Sequence, residues 1–522
     1  MTTESTIQSR IRELAIRNLP DAIETLKNAV RVPAEYVTRD PADGGDPLCG
    51  TSNHEGPRIE LLRERVIELG AVDGPDDVGV DEFGNLWWQV EDPDDGVSPE
   101  DKTIIILDGH VDTVAPLRYR WLEVTGGGLD AYLGLVDEEK IDSAQLDEEL
   151  GYLPPRSEWD HLVWGRGTAD QLSGVVCQIF ATVILRQLRS QGALTGVVVR
   201  SYATVAEEDN DGGAPMYYID KALASGMPER VPDVVILTEP TGSAAEGALG
   251  IYRGQRGRMQ IEVEVIGKSS HGAMPWEGKN PLEYGAAIIS EAASAYERGD
   301  GIGSDEFLGA GSRTASFATL VTPSDCAVPE AFTFRLDRRL THGEDPQQAV
   351  DDIEALPALE KARQAGLGVT VRAPVYEQPT WNGYVPGNPQ IYPSWSTPEK
   401  HPAITAARDT YVETISDLVT EGFLGSSGRS EPRVSRWVFS TDGVGVPVPS
   451  DRATAIRDRK RWIEAGAMSH PAMFGIGPGV EENTHKIGEC VDSREIAAAI
   501  SFLACYPQVL RQQLSDDSDP SR

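Results

Sequence analysis

Two rhythms of hydrophobic positions run through the chain and predict an α/β protein. Short apolar runs of strand length recur at wide intervals, with Ile104–Leu107 inside TIIILDGHVDTV (103 to 114) the clearest, closed by Asp108-Gly109. Similar strands are expected over 196–205, 233–237 and 472–476. Between them lie stretches of helical period. One covers 7–32, with Ile11, Leu14, Ile16, Leu19, Ile23, Leu26 and Val30 as its apolar stripe; a second runs to about Leu69 after a Gly/Pro/Asp-rich loop over 39–57; a third covers 175–188. A strand pair is expected around Asn85.

From residue 250 the pattern changes. Residues 258–266 alternate, with Met259, Ile261, Val263 and Val265 set against Gln260, Glu262 and Glu264, as in a half-buried strand. A helix over 281–296, strands over 314–321 and 332–340, a helix over 345–365 and a strand over 368–375 complete the order strand, helix, strand, strand, helix, strand, which is ferredoxin-like. We therefore expect a discontinuous catalytic domain, 1–249 and 381–522, with a mainly parallel sheet flanked by helices, and an inserted α/β domain over 250–380.

Chemistry gathers at the strand ends, where open parallel sheets place it. The first strand ends in His110 and Asp112, another in Glu207 and Glu208, a third in Glu239, and the last is followed by His485. Asp170 stands among Gly165, Gly167 and Gly174 just before a helix. Each has an ordinary reading by itself: a structural His, an N-cap Asp, a solvated acidic turn. Several such ends in one sheet point to one converging site. The middle of the segment between Asp112 and Asp170, acidic at 136–150, is expected to be a surface insertion.

Composition narrows the classes. Asp and Glu total 83 against 47 Lys and Arg in 522 residues, a formal charge of −36. That argues against a nucleic-acid surface and against attraction to anionic membranes, and suggests a halophilic surface. No apolar run reaching about 18 residues and no signal pattern is expected, so a soluble cytoplasmic protein is the reading. Cys49, Cys177, Cys326, Cys490 and Cys505 form no Cys-x-x-Cys pair and offer no thiolate metal site.

In sequence the chain resembles the M20 family of metallopeptidases and amidohydrolases, and its YgeY-like branch in particular. The motifs are LDGHVDTV (107 to 114), GRGTAD (165 to 170), EED (207 to 209), TEP (238 to 240), YRGQRGRM (252 to 259), SSHGAMPWEGKNP (269 to 281), LDRRLT (336 to 341), FSTDG (439 to 443) and GPG before His485. The resemblance implies two divalent metal ions, one held by His110, Asp170 and Glu239 and the other by Asp170, Glu208 and His485, with Asp170 shared. A His and carboxylate set suits Zn, with Co or Mn as alternatives. It implies Glu207 as general base, Asp112 as the group that orients His110, His271 as an oxyanion donor, Arg339 as a clamp on a substrate carboxylate, and a homodimer paired through the inserted lid domain. The expected reaction is amide hydrolysis of an N-acyl amino acid or small peptide-like substrate. A carbamoyl or cyclic amide substrate, or a non-catalytic metal-binding role, is the alternative. Cys326 in CAVP stands where many relatives carry an Asn that touches substrate.

Overall fold

The computed structural model describes residues 3–34, 54–457 and 460–516. Most of the loop expected over 39–57, Cys49 with it, and the acidic tail beyond 516 lie outside the described residues.

The larger sheet has nine strands. From one edge the order is Val78–Val80, Leu86–Glu91, Val197–Thr204, Thr103–His110, Val234–Leu237, Ala472–Gly475, Ile251–Gln255 and Trp395–Ser396, with Val434–Trp437 also beside Ile251–Gln255. Only the four central strands, from 197–204 to 472–475, run parallel to one another without interruption. The pairings on either side of these four are antiparallel, except that Val434–Trp437 runs parallel to Ile251–Gln255. The expected mainly parallel sheet is thus a mixed one. At the first edge the physical reason is connection length: a crossover helix such as Ser173–Gln187 can return the chain parallel, whereas the few residues joining 78–80 to 86–91 allow only a hairpin.

Strand Thr103–His110 is buried along its whole length. Ile105 and Leu107 pack into a core with helices Thr3–Arg31, Ser173–Gln187, Pro402–Thr420 and Ser493–Asp516, while Ile106 faces a second core with Tyr218, Trp395, Trp437 and Met473. Cover on both faces is why this strand reads as an unbroken apolar run rather than an alternation. After 103–110 the chain fills the position on one side with 197–204 and then the position on the other with 234–237. His110 therefore ends the strand at which the order reverses, where a crevice opens beyond the carboxyl ends.

The second sheet orders Ser312–Val321, Ala331–Leu340, Gly257–Ile266 and Gly368–Arg372, all antiparallel neighbours. Met259, Ile261, Val263, Val265, Phe332, Phe334 and Leu336 pack on one face against Ile288 and Ala292 of helix Pro281–Glu297 and against Ile353 and Leu359. The single helix expected over 345–365 is two, Pro346–Glu354 and Pro357–Gln364. Leu356 is extended (ψ 130°), because Pro357 lacks an amide hydrogen and disfavours a helical residue before it. Strand Ser312–Val321 forms an edge exposed from Thr314 onward, including Phe317, Leu320 and Val321.

Two further expectations change. The segment between Asp112 and Asp170 is not a plain surface insertion: Trp121, Leu129, Leu146, Trp159 and Trp164 build a small core that also takes in Ile487 and Cys490, next to His485. Residues Thr168–Gln187 form an apolar stretch long enough to cross a membrane by length and composition, but its most apolar window is 94% buried inside the fold, as a core helix is.

Candidate metal centre

The strand-end groups come together. Asp170 stands between two imidazoles, with Oδ1 3.1 Å from His110 Nε2 and Oδ2 3.1 Å from His485 Nε2. Glu239 Oε1 is 3.7 Å from His110 Nε2, and Glu208 Oε2 is 3.1 Å from His485 Nε2. The donors form two triads, His110, Asp170, Glu239 and Asp170, Glu208, His485, with the ligand atoms within each lying within 4.8 Å of one another. Glu207 belongs to neither triad but reaches in, with Oε2 3.8 Å from His110 Nε2.

Local backbone explains the aim of these side chains. His110 is the last residue of its strand. Ala206 takes a left-handed conformation (φ 61°) that turns the chain from strand Val197–Thr204 into the single turn Glu207–Asn210, and its N–H donates to buried Glu55. Asp112 accepts the backbone amides of both Glu207 (3.1 Å) and Glu208 (2.9 Å). Asp170 follows the glycine turn at Gly167 (φ 84°), which a side chain would strain.

The electrostatics fit cations. Burial pushes Glu207 well above the usual carboxylate range and Glu239 up to about 8, and the neighbouring carboxylates add to both shifts. Burial alone would raise Asp170 too, but hydrogen bonds from both imidazoles hold it well below. Against the cost of burial, Asp112 and Asp170 raise His110, and Asp170 and Glu208 push His485 up to about 11. So many carboxylates packed together favour positive charge. Imidazole and carboxylate donors without thiolate suit Zn²⁺, Co²⁺ or Mn²⁺.

The remaining expected residues lie apart. His271 is exposed on a two-stranded ladder opposite Ala327, and its Nδ1 accepts the amide of Ala273. Its hydrogen bonds among the described residues include no member of the triads. Arg339 donates to Asp337 (2.8 Å) and Ser440 Oγ (2.8 Å), and Asp337 in turn binds Arg258, which pairs with Asp211 just after the Glu207 turn. Asp442 of the FSTDG motif is fully buried and accepts from Thr204 Oγ1 at 2.5 Å.

Sequence reasoning missed Glu489. Its fully buried carboxylate accepts the amides of Ala169 (3.0 Å) and Asp170 (3.1 Å) and pairs with Arg166. The available signal was a lone acid directly before the apolar pair Cys490-Val491. Glu55, also missed, sits beside a segment outside the described residues.

The M20 peptidase dimerisation domain matches residues 253–363. The uncharacterised Escherichia coli K12 protein YgeY is 30% identical over 86% of this chain and 88% of its own length. A probable succinyl-diaminopimelate desuccinylase of Staphylococcus aureus is 31% identical over 24% of this chain and 28% of its own. The solved structure of the Saccharomyces cerevisiae di-peptidase Dug1p superposes with a TM-score of 0.59 at 11% identity, covering 98% of this chain and 99% of that one, a likeness of fold. By the relative that matches along most of both lengths and by its dimerisation domain, the chain belongs to the M20 family of metallopeptidases and amidohydrolases.

Proposed function

We propose that this protein is a binuclear metal-dependent hydrolase that cleaves an amide bond in an N-acyl amino acid or small peptide-like substrate. One observation carries the reading: the two oxygens of Asp170 each face a different imidazole at 3.1 Å, and a further carboxylate completes each triad. His110, Asp170 and Glu239 would hold one cation and Asp170, Glu208 and His485 the other. When bound, such a pair lowers the pKa of a water and polarises a carbonyl. Zn²⁺ suits the donors best.

Glu207 supplies the general base. Its carboxyl lies 3.8 Å from His110 yet belongs to neither triad, and burial raises its proton affinity, as a group that takes up a proton and returns it to a leaving amine requires. Asp112 orients His110 and fixes the turn that carries both glutamates. Arg339, half-buried beside Ser440, takes a substrate carboxylate in a bidentate pairing for which Asp337 holds its guanidinium in place.

We further propose that residues 250–380 act as a lid and dimerisation domain inserted into the catalytic domain, and that two copies pair through the exposed edge strand Ser312–Val321. An exposed strand with apolar Phe317, Leu320 and Val321 is a template for pairing. His271 then completes the partner's site as an oxyanion donor. Free Cys177, Cys326, Cys490 and Cys505 accord with a reducing, cytoplasmic setting.

The test is metal analysis together with release of free amine from a panel of N-acyl amino acids and dipeptides, assayed in molar salt. Roughly two equivalents of transition metal and metal-dependent amine release are expected. Full metal loading with no release from any amide would sink the hydrolase reading.

A further inference from the structure

His485 needs external support to serve as a donor. It is a non-glycine residue in the left-handed region (φ 62°), and its side chain is 50% exposed, so neither local backbone preference nor packing holds it. His110, by contrast, is anchored by the strand ladder and by its own Nδ1 bond to the Asp112 carbonyl.

The support comes from a buried ion pair. Arg166 is 3% exposed and Glu489 is 0% exposed. Glu489 Oε2 accepts from Arg166 Nη1 at 2.6 Å, while Glu489 Oε1 takes the amides of Ala169 and Asp170. Arg166 Nη2 donates to the backbone carbonyl of His485 at 3.2 Å. The backbone also joins, with the Gly165 amide donating to the Glu489 carbonyl at 3.0 Å. One salt bridge thus ties the main chain of the shared ligand Asp170 to the main chain of His485.

We propose that Arg166 and Glu489 are positioning residues for one half of the centre: they set the spacing of Asp170 and His485, and weakening them loosens the ion held by Asp170, Glu208 and His485 while sparing the one held by His110, Asp170 and Glu239. This rests on the two-ion reading above. The selectivity follows from where the guanidinium ends: it reaches the His485 carbonyl, whereas the amide of the shared Asp170 is held by an oxygen of residue 489 that both variants below keep. Arg166→Lys keeps the charge but cannot span both Glu489 and the His485 carbonyl. Glu489→Gln keeps an oxygen for the two amides but turns a donor toward Arg166.

The experiment titrates metal-free protein with Co²⁺ alone, against a chromophoric chelator, and resolves the two stepwise affinities. His485→Ala identifies which step belongs to its triad. In Arg166→Lys and Glu489→Gln that step should weaken by about 10- to 100-fold, as for other groups that orient ligands, with the other step within about threefold. If wild type binds two ions and both steps shift equally, or neither shifts, the positioning role is overturned and the two-ion reading survives. If wild type binds a single ion, or His485→Ala loses none, the two-ion reading falls and this role falls with it. Should Arg166→Lys fail to fold, Glu489→Gln decides, and the thermal midpoint of its metal-free form separates a general loss of stability from the selective effect.

Discussion

His110 and Asp112 are bonded through the ring's Nδ1, which lies 3.0 Å from the Asp112 carbonyl and 3.4 Å from its carboxylate. A carbonyl can only accept, so Nδ1 carries the hydrogen, and Nε2 is turned toward Asp170 and Glu239. The same carboxylate fixes the backbone of Glu207 and Glu208, so these adjacent acids differ in direction rather than in support. Glu207 points toward His110 and Glu208 toward His485.

That difference in direction predicts different losses. Glu207→Gln should keep metal content near wild type while kcat falls by about 10²- to 10⁴-fold, the range for losing a general base. Glu208→Gln should lose metal. Elemental analysis of both variants beside their kinetics decides it; equal metal loss in the two would show that the roles are wrongly divided.

The exposed position of His271 predicts action between subunits. His271→Ala and Glu207→Gln should each be nearly inactive, and mixing them under conditions of subunit exchange should restore activity, because one site of the mixed dimer has both groups intact. An oxyanion donor of this kind contributes about 3 kcal/mol. Verified exchange with no gain over either parent would mean that His271 does not serve a neighbouring subunit.

His470 predicts a pH effect on stability. It is fully buried, its Nδ1 donates to the Pro471 carbonyl at 2.7 Å, its Nε2 has no hydrogen-bond partner, and burial lowers its pKa from 6.5 to about 4. Below pH 6.5 the unfolded chain takes up a proton that the folded protein refuses, so this residue's contribution is complete above 6.5 and is lost as pH falls toward 4. Asn at this position can still donate to the Pro471 carbonyl. Denaturant unfolding of His470→Asn should therefore show a shallower loss of stability than wild type between these two values; parallel curves would refute the assignment.

The formal charge of −36 predicts that added salt stabilises. Self-repulsion in the compact state is screened as the Debye length falls from about 10 Å at 0.1 M to about 3 Å at 1 M. The thermal midpoint should rise from low to molar KCl. A flat or falling midpoint would remove the halophilic reading and leave the metal site untouched.

The sequence by itself determined the local elements and the places where chemistry is presented. An apolar run such as Ile104–Leu107 is buried on both faces, and its short length, its β-branched residues and the Asp108-Gly109 that closes it made its strand character and the donor beyond it legible. The same holds for the alternating strand Gly257–Ile266, and the order of elements around it gave the second sheet. The tertiary structure alone decided the directions and the meetings. The large sheet turns antiparallel at most of its flank pairings, which join strands far apart in sequence, and the acidic segment before Asp170 acquires a core only because Ile487 and Cys490 return to it. The two oxygens of Asp170 are divided between imidazoles that stand on opposite sides of it in sequence. Arg166 and Glu489, 323 positions apart, meet in a buried pair that no periodicity announces. Period records how a segment is buried against its surroundings; which distant residue completes a charge depends on where the chain comes back, and only the folded molecule fixes that.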